Sequence, residues 1–483
     1  MRKTVKKLTA VGLTVTSVLG LVACGSSKGT TSQGTSENKE VTKPDTFTVM
    51  CDGTVVTETN GAEAFYKQLN EATGLDIKWT RPDHASYYDA VANAFNSDDT
   101  MPDVVLLSSD YYALYASNGF LWNMTDAWEH SETKNSGRLI STADNVLSAL
   151  MVNGEDGTKA MYGLSLYRGN GCCTYVKKAW LDKAGIDASK VKDVQMDFNT
   201  YYGYLKQMAQ TMGHYVISSP GFIHPEAPNT NYLPEFYQKA QYTFYKDTSG
   251  KYVDGFAQQE MKEALQRIQT AVNDGVIDKE SVNNSTANAR DKFYSTDPST
   301  ETGVFTYWAG TWANTLKTNL ANKGLDDELI AIKPIKELGA YTERIAPCWC
   351  ITSAAKNPEG IFKYFIDKML DGGDVQMLWT HGAKGTHWDD KAETVTVEKK
   401  EDQPKTYTEG QFHYLPGIEK PDQWQTKNHI DPILSIANFT NGYVGESLIP
   451  EVARENGEFF AENSQVAVPL PMTSELSNNI GDI

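Results

Sequence analysis

The chain has 483 residues and a formal net charge of −18, from 44 Lys and Arg against 62 Asp and Glu. A chain this acidic is repelled by nucleic acid and by anionic lipid surfaces, so neither is expected as a partner. The length is too great for one compact core and fits two or three lobes. Aromatic side chains make up 11%, with 25 Tyr and 10 Trp, which is more than packing requires.

Arg2, Lys3, Lys6 and Lys7 precede an uncharged run from Leu8 to Val22, the basic-then-apolar order of a secretory signal. That run is short for a bilayer-spanning helix, so residues 1–23 are expected to be cut off. The sequence Leu21-Val22-Ala23-Cys24-Gly25 resembles the bacterial lipobox. The resemblance implies that Cys24 carries lipid, becomes the new N-terminus and anchors the protein at the outer face of a membrane. Residues 24–45 are dominated by Gly, Ser, Thr and charged residues and cannot bury enough surface to offset their ordering entropy, which predicts a flexible linker. No later stretch is apolar for long enough to span a membrane.

Thr46 to Met50 reads as a strand ending at Cys51-Asp52-Gly53. Ala62, Phe65, Leu69 and Ala72 form a helical stripe stopped by Gly74. Asp76 to Trp79 is a second strand, Tyr87 to Asn96 a second helix, and Val104 to Leu107 a short strand buried on both faces. This alternation predicts parallel pairing with right-handed crossovers, an open α/β sheet. Ligands of such sheets sit beyond the carboxyl ends of the strands, which selects Asp52, Ser109, Asp110 and Tyr111. Asp110 can equally cap the helix that follows. The strand Cys172 to Val176 comes after Arg168-Gly169-Asn170-Gly171, where Arg168 and Asn170 can reach a ligand or form a solvated turn.

Lys159-Ala-Met-Tyr-Gly-Leu164, Lys177-Lys-Ala-Trp-Leu-Asp-Lys-Ala-Gly185 and Phe198-Asn-Thr-Tyr-Tyr202 resemble, in order and spacing, segments of extracellular solute-binding proteins of the maltose-binding-like superfamily. Gly303-Val-Phe-Thr-Tyr-Trp-Ala-Gly-Thr-Trp312 is similar to that family's strand ending in a Gly-x-Trp turn. Cys350-Ile-Thr-Ser, with the amphipathic Ile361 to Leu370 downstream, is similar to its return strand and helix. His381-Gly-Ala-Lys-Gly-Thr-His-Trp388 resembles a loop of the Gram-positive lipoprotein branch that imports oligosaccharides. The resemblance covers Met1 to about Asp390. It implies a type II, two-lobed α/β binding-protein fold: lobe 1 over 46–165, lobe 2 over 166–340, a return to lobe 1 over 341–375, and a crossing back to lobe 2 over 376–483. Hinges are expected near Ser165–Asn170 and Tyr341–Pro347. The start of a further helix is expected at Thr473-Ser474-Glu475-Leu476, and the C-terminus looks short beside relatives.

A pyranose site needs flat aromatic walls edged by carboxylates, amides or Arg. Trp308, Trp312 and Trp388 lie in glycine-bearing turns and Trp349 lies in a strand; with His387 they complete the expected ligand contacts. The chain has no G-x-x-x-x-G-K-[ST], H-E-x-x-H or G-x-S-x-G motif, and no metal or other cofactor is expected. The cysteines after Cys24 (Cys51, Cys172, Cys173, Cys348 and Cys350) lack metal-site spacing and are expected to be small buried thiols, with one disulfide left open. The resemblance therefore implies a monomeric, non-enzymatic oligosaccharide binder serving the permease subunits of an ABC importer. A surface glycoside hydrolase and a binder of a non-sugar solute such as a peptide are the alternatives.

Overall fold

The computed structural model of the chain describes residues 41–53, 61–136, 144–165, 169–223, 230–242, 244–247, 249, 251–325, 327–371, 373–389, 394–396, 404–406, 411–415, 444–445 and 451–467. The signal segment, Cys24, most of the linker, Arg168 and the expected helix start at Thr473 lie outside the described residues.

Strands β1 (Thr46–Met50), β2 (Asp76–Thr80) and β3 (Val104–Leu107) pair in parallel, with β1 in the middle. Helix α1 (Ala62–Thr73) links the first two, burying Ala62, Phe65 and Leu69 and ending at Gly74, whose φ of 63° lets its N–H reach the Asn70 carbonyl at 2.7 Å. The second crossover is α2 (Tyr87–Ala94), and α3 (Ser109–Ser117) leaves the carboxyl end of β3. All four residues of β3 are buried, as an interior strand covered on both faces requires.

Next comes the hairpin of β4 (Met151–Asn153) with β5 (Lys159–Met161), and then β6 (Cys172–Lys177) begins a second sheet. A further hairpin joins β7 (Phe244–Lys246) to β8 (Tyr252–Asp254). Strands β9 (Val304–Trp308) and β10 (Leu329–Ala331) flank β6, both antiparallel to it. Alternation along these strands supplies two cores. Val176, Val304 and Ile330 face the helices Phe198–Met212 and Gln259–Asn273, while Cys173, Tyr175, Phe305 and Tyr307 face the helix Thr311–Asn322.

The chain returns through β11 (Tyr341–Glu343) to β12 (Cys348–Ile351), which pairs antiparallel with β3 on the edge of the first sheet. The helical stretch Pro358–Leu370 closes over that sheet, burying Phe362, Phe365 and Ile366. The helix Asp374–His381 remains with the first core, where Trp379 meets Phe65 edge-on at 5.0 Å. The passage back to the second sheet therefore comes later than the expected boundary at 376, because the apolar face of this helix is taken by α1. The helix Glu451–Asn463 then packs on the second sheet. Its Asn456 Oδ1 accepts from the Tyr175 hydroxyl at 2.9 Å and from the Gly310 N–H at 2.7 Å. Strand Ser464–Val466 pairs in parallel with β11.

Two connections between the sheets run side by side. Leu164 and Trp349 exchange backbone hydrogen bonds at 3.0 and 2.9 Å, the Ser165 hydroxyl donates to the Ala346 carbonyl at 2.8 Å, and the Arg344 N–H donates to the Asn170 carbonyl at 3.1 Å. A β-carbon at Gly169 or Gly171 would collide with the carbonyl oxygens of Arg344 and Thr342, so the close approach requires glycine at both positions. Cys51, Cys172, Cys173, Cys348 and Cys350 are all buried, and none of them forms a disulfide. Burial pushes the thiols of Cys51, Cys173 and Cys348 up to about 12.

Candidate functional site

The carboxyl ends of β1 and β3 open toward the crossing segments. Tyr87 and Tyr88 start α2 and diverge, since neighbours on a helix do not share a face. Tyr87 is buried and donates to the Leu106 carbonyl at 2.7 Å. Tyr88 lies parallel to Tyr111, with ring centroids 3.9 Å apart and planes 6° from coplanar. Its hydroxyl accepts from the Ser108 N–H at 2.8 Å, which fixes the pair to the end of β3. Burial pushes the Tyr88 phenol up to about 12, and the positive charge of Arg344 pulls in the opposite direction.

Arg344 belongs to the second crossing and also meets the second sheet: its guanidinium carbon lies 4.5 Å over the ring of Trp308, the last residue of β9. Asn170, buried on the adjacent crossing, donates from Nδ2 to the Ala309 carbonyl at 3.2 Å, while its Oδ1 has no hydrogen-bond partner among the described residues. Beyond Trp308 the chain turns at Gly310, with φ 67° and ψ −121°, into the helix that carries Trp312 in its first turn. Trp312 meets Tyr307 edge-on at 4.9 Å, and Arg290 lies 5.4 Å over its ring. Arg290 also donates to the Tyr307 hydroxyl at 2.9 Å. Half-buried aromatic rings and two guanidinium groups therefore stand at the end of β9 and on the adjoining crossing, with the Asn170 amide beside Ala309. Groups of these kinds can bind hydroxylated rings by stacking and hydrogen bonding.

No family model matches the chain, and no curated protein does. Solved structures do match. An N-glycan transport solute-binding protein of Streptococcus pneumoniae aligns with 91% of this chain and 88% of its own, at 17% identity and a TM-score of 0.53. An HMO-binding, ABC-transporter-associated solute-binding protein of Bifidobacterium longum infantis aligns with 87% of this chain and 81% of its own, at 13% identity and a TM-score of 0.52. A family 1 extracellular solute-binding protein of Alicyclobacillus acidocaldarius covers 91% of this chain and 92% of its own, at 13% identity and a TM-score of 0.52. The chain has the two-lobed fold of extracellular solute-binding proteins. As sequence identity is this low, what is shared is the architecture, with the first sheet in one lobe and the second in the other.

In this solute-binding fold the expected contacts separate into two groups. Tyr111 stands at the carboxyl end of β3, Asn170 on a crossing segment bonded to Ala309, and Trp308 and Trp312 at the end of β9 and the start of the next helix, all but Asn170 half-buried. Asp52 stands at the same end of the first sheet, its carboxylate 2.5 Å from His84 Nδ1. Asp110 lies in the first turn of α3, and its side chain is outside the described residues, as is the whole of Arg168.

Trp349, His387 and Trp388, also expected as ligand contacts, are placed in the core instead of on an open surface. Trp349 is 3% exposed and meets Trp379 and Phe365 edge-on, because its strand inserts beside β3 with that face turned inward. His387 is fully buried and its Nδ1 accepts from the Ala383 N–H at 2.9 Å. Trp388 is 4% exposed and donates from Nε1 to the Gly382 carbonyl at 2.8 Å. The glycine-rich loop folds back on the first lobe, where His387 packs on Gly61, instead of projecting its rings.

Sequence reasoning did not single out Tyr88, Arg290 or Arg344. The tyrosine doublet opening a helix was one available signal for Tyr88. A lone cation in a crossing segment of an acidic chain was another, for Arg344. Among the described residues no helix is long and apolar enough to cross a membrane.

Proposed function

We propose that this chain is the substrate-binding component of an ABC importer. It captures an oligosaccharide between its lobes and delivers it to a membrane permease without changing a bond. The observation that carries this is Arg344, which extends from a segment connecting the two sheets onto the ring of Trp308 at the end of the second, while its charge is felt at Tyr88 at the end of the first. A ligand entering there touches both lobes, and ligand that contacts both lobes stabilises the closed form over the open one. The matched relatives that transport N-glycans and bind HMO support a carbohydrate guest. Cys24 is proposed as the lipid attachment that keeps the protein at the outer membrane face.

Trp308→Ala is expected to weaken oligosaccharide binding by about 1–3 kcal/mol, the range for loss of one aromatic platform, with Trp312→Ala following in the same direction. Titration calorimetry against sugars found in a thermal-shift screen measures this, since a tight ligand raises apparent stability by mass action. Unchanged affinity in both variants would remove the aromatic wall from the mechanism. Recovery of a shortened saccharide would favour a hydrolase, and retention of a peptide alone would replace the carbohydrate. For the anchor, Cys24→Ala is expected to move the protein from the membrane fraction to the medium, as read by fractionation and immunoblotting.

A further inference from the structure

We infer that the captured saccharide is acidic, with Arg344 as the counter-charge for an anionic group on its sugar ring. This rests on the oligosaccharide reading above and specifies its substrate class.

Cations elsewhere in the described structure are commonly matched: Lys177 to Glu301, Lys292 to Asp278 and Glu280, Lys206 to Asp274, Lys368 to Glu132. Such pairing is easy in a chain with a net charge of −18. Arg344 departs from this pattern. Among the described residues no carboxylate lies within ion-pair distance of it, and its guanidinium is laid on the Trp308 ring instead. Arg290 repeats the arrangement over Trp312 and likewise meets no carboxylate at that distance among the described residues.

A ring face offsets about 0.5–2 kcal/mol for a guanidinium, and among the described residues the side-chain N–H donors of Arg344 meet no acceptor, while Arg290 spends one on the Tyr307 hydroxyl. Those donors form a planar fork that matches a carboxylate or sulfate in two parallel hydrogen bonds, an arrangement that neutral hydroxyl groups do not provide. The overall negative field of the protein disfavours an anionic ligand at long range, so a site for one needs local positive charge. That charge stands beside the aromatic walls at the meeting of the lobes. The free Oδ1 of Asn170, next to the Arg344 backbone, is an acceptor for a neighbouring sugar hydroxyl.

Binding is measured by calorimetry on the whole mature protein, using three uronate oligosaccharides of different linkage, each paired with its uncharged methyl ester. A sulfated disaccharide with its unsulfated parent, and neutral oligosaccharides, complete the panel. At least one free acid or sulfate is expected to bind tenfold or more tightly than its uncharged twin, with affinity falling as sodium chloride is raised. Whether uronate or sulfate wins distinguishes the two sources of charge. Arg344→Gln is expected to erase the difference between charged and uncharged twins. The salt dependence of the unmodified protein tests the same point without a variant, should Arg344→Gln unfold. Equal binding of the twins, or binding of neutral sugars alone, overturns the acidic class and leaves the oligosaccharide reading intact. A panel in which nothing binds overturns both.

Discussion

Glu301→Gln is expected to destabilise the protein by about 3–5 kcal/mol at neutral pH, the range for removing one partner of a buried ion pair. Lys177 closes β6 with none of its surface exposed, and its ammonium has two neighbours: the Glu301 carboxylate at 2.8 Å and the face of Phe293 at 4.9 Å. Glu301 also accepts from Trp180 Nε1 at 3.1 Å, a bond glutamine can keep, so the substitution isolates the charge. Burial already holds the Lys177 ammonium below its ordinary range despite the carboxylate. With Glu301 neutral, the folded state favours uncharged lysine still more strongly, while the unfolded chain keeps its proton to high pH. In the variant, stability should therefore recover as pH rises toward the ordinary lysine range, because the unfolded state binds the extra proton. Chemical denaturation between pH 7 and 10 measures both effects, and a loss below about 1 kcal/mol at pH 7 would show that the pair is not sealed from water. Adding Lys177→Met to the variant should restore most of the loss.

The second large effect is a pH dependence centred on Glu235. This carboxyl is buried beneath the second sheet, where its Oε1 accepts from the Thr174 hydroxyl at 2.8 Å and lies 3.2 Å from the Tyr341 hydroxyl. Tyr341 belongs to the segment that crosses between lobes. The titratable groups facing Glu235 are Tyr201, Cys173 and Tyr341, all uncharged, so no cation compensates its burial among the described residues. Burial therefore raises the carboxyl from 4.5 to about 7, against the two hydroxyl hydrogen bonds. Between those values the folded state holds a proton that the unfolded state has lost. The resulting stability is fully present below about pH 4.5 and is lost as pH rises through 7, by on the order of 3 kcal/mol. Glu235→Gln removes this dependence. The variant should match the parent near pH 5 and melt at a higher temperature at pH 8. Parallel melting profiles across that range would show that the carboxyl is not buried as described.

Sequence periodicity recovered much of the first lobe because its elements are local. The Ala62–Phe65–Leu69 stripe and the Gly74 stop define α1 to the residue, and the wholly apolar Val104–Leu107 could only be an interior strand. Pairing partners were less accessible. Nothing in Cys348–Ile351 announces that it runs antiparallel beside β3, because that register depends on a partner more than 200 positions away. The same limit explains the tryptophans. A ring in a glycine-bearing turn can face either way, and contacts remote in sequence decide which. Trp308 meets Arg344 at the crossing, whereas Trp388 is drawn inward by the Gly382 carbonyl. Tyr88 was hidden by its own doublet, since only the helix phase sends Tyr87 into the core and leaves its neighbour to stack on Tyr111.

The enclosed, unreactive sulfhydryls leave a chemically silent background. Once Cys24 is acylated or removed, one cysteine engineered onto the surface of each lobe can be conjugated to a maleimide dye while the native sulfurs stay untouched. Energy transfer between the two dyes would then report in real time whether the proposed closure takes place as sugar is added.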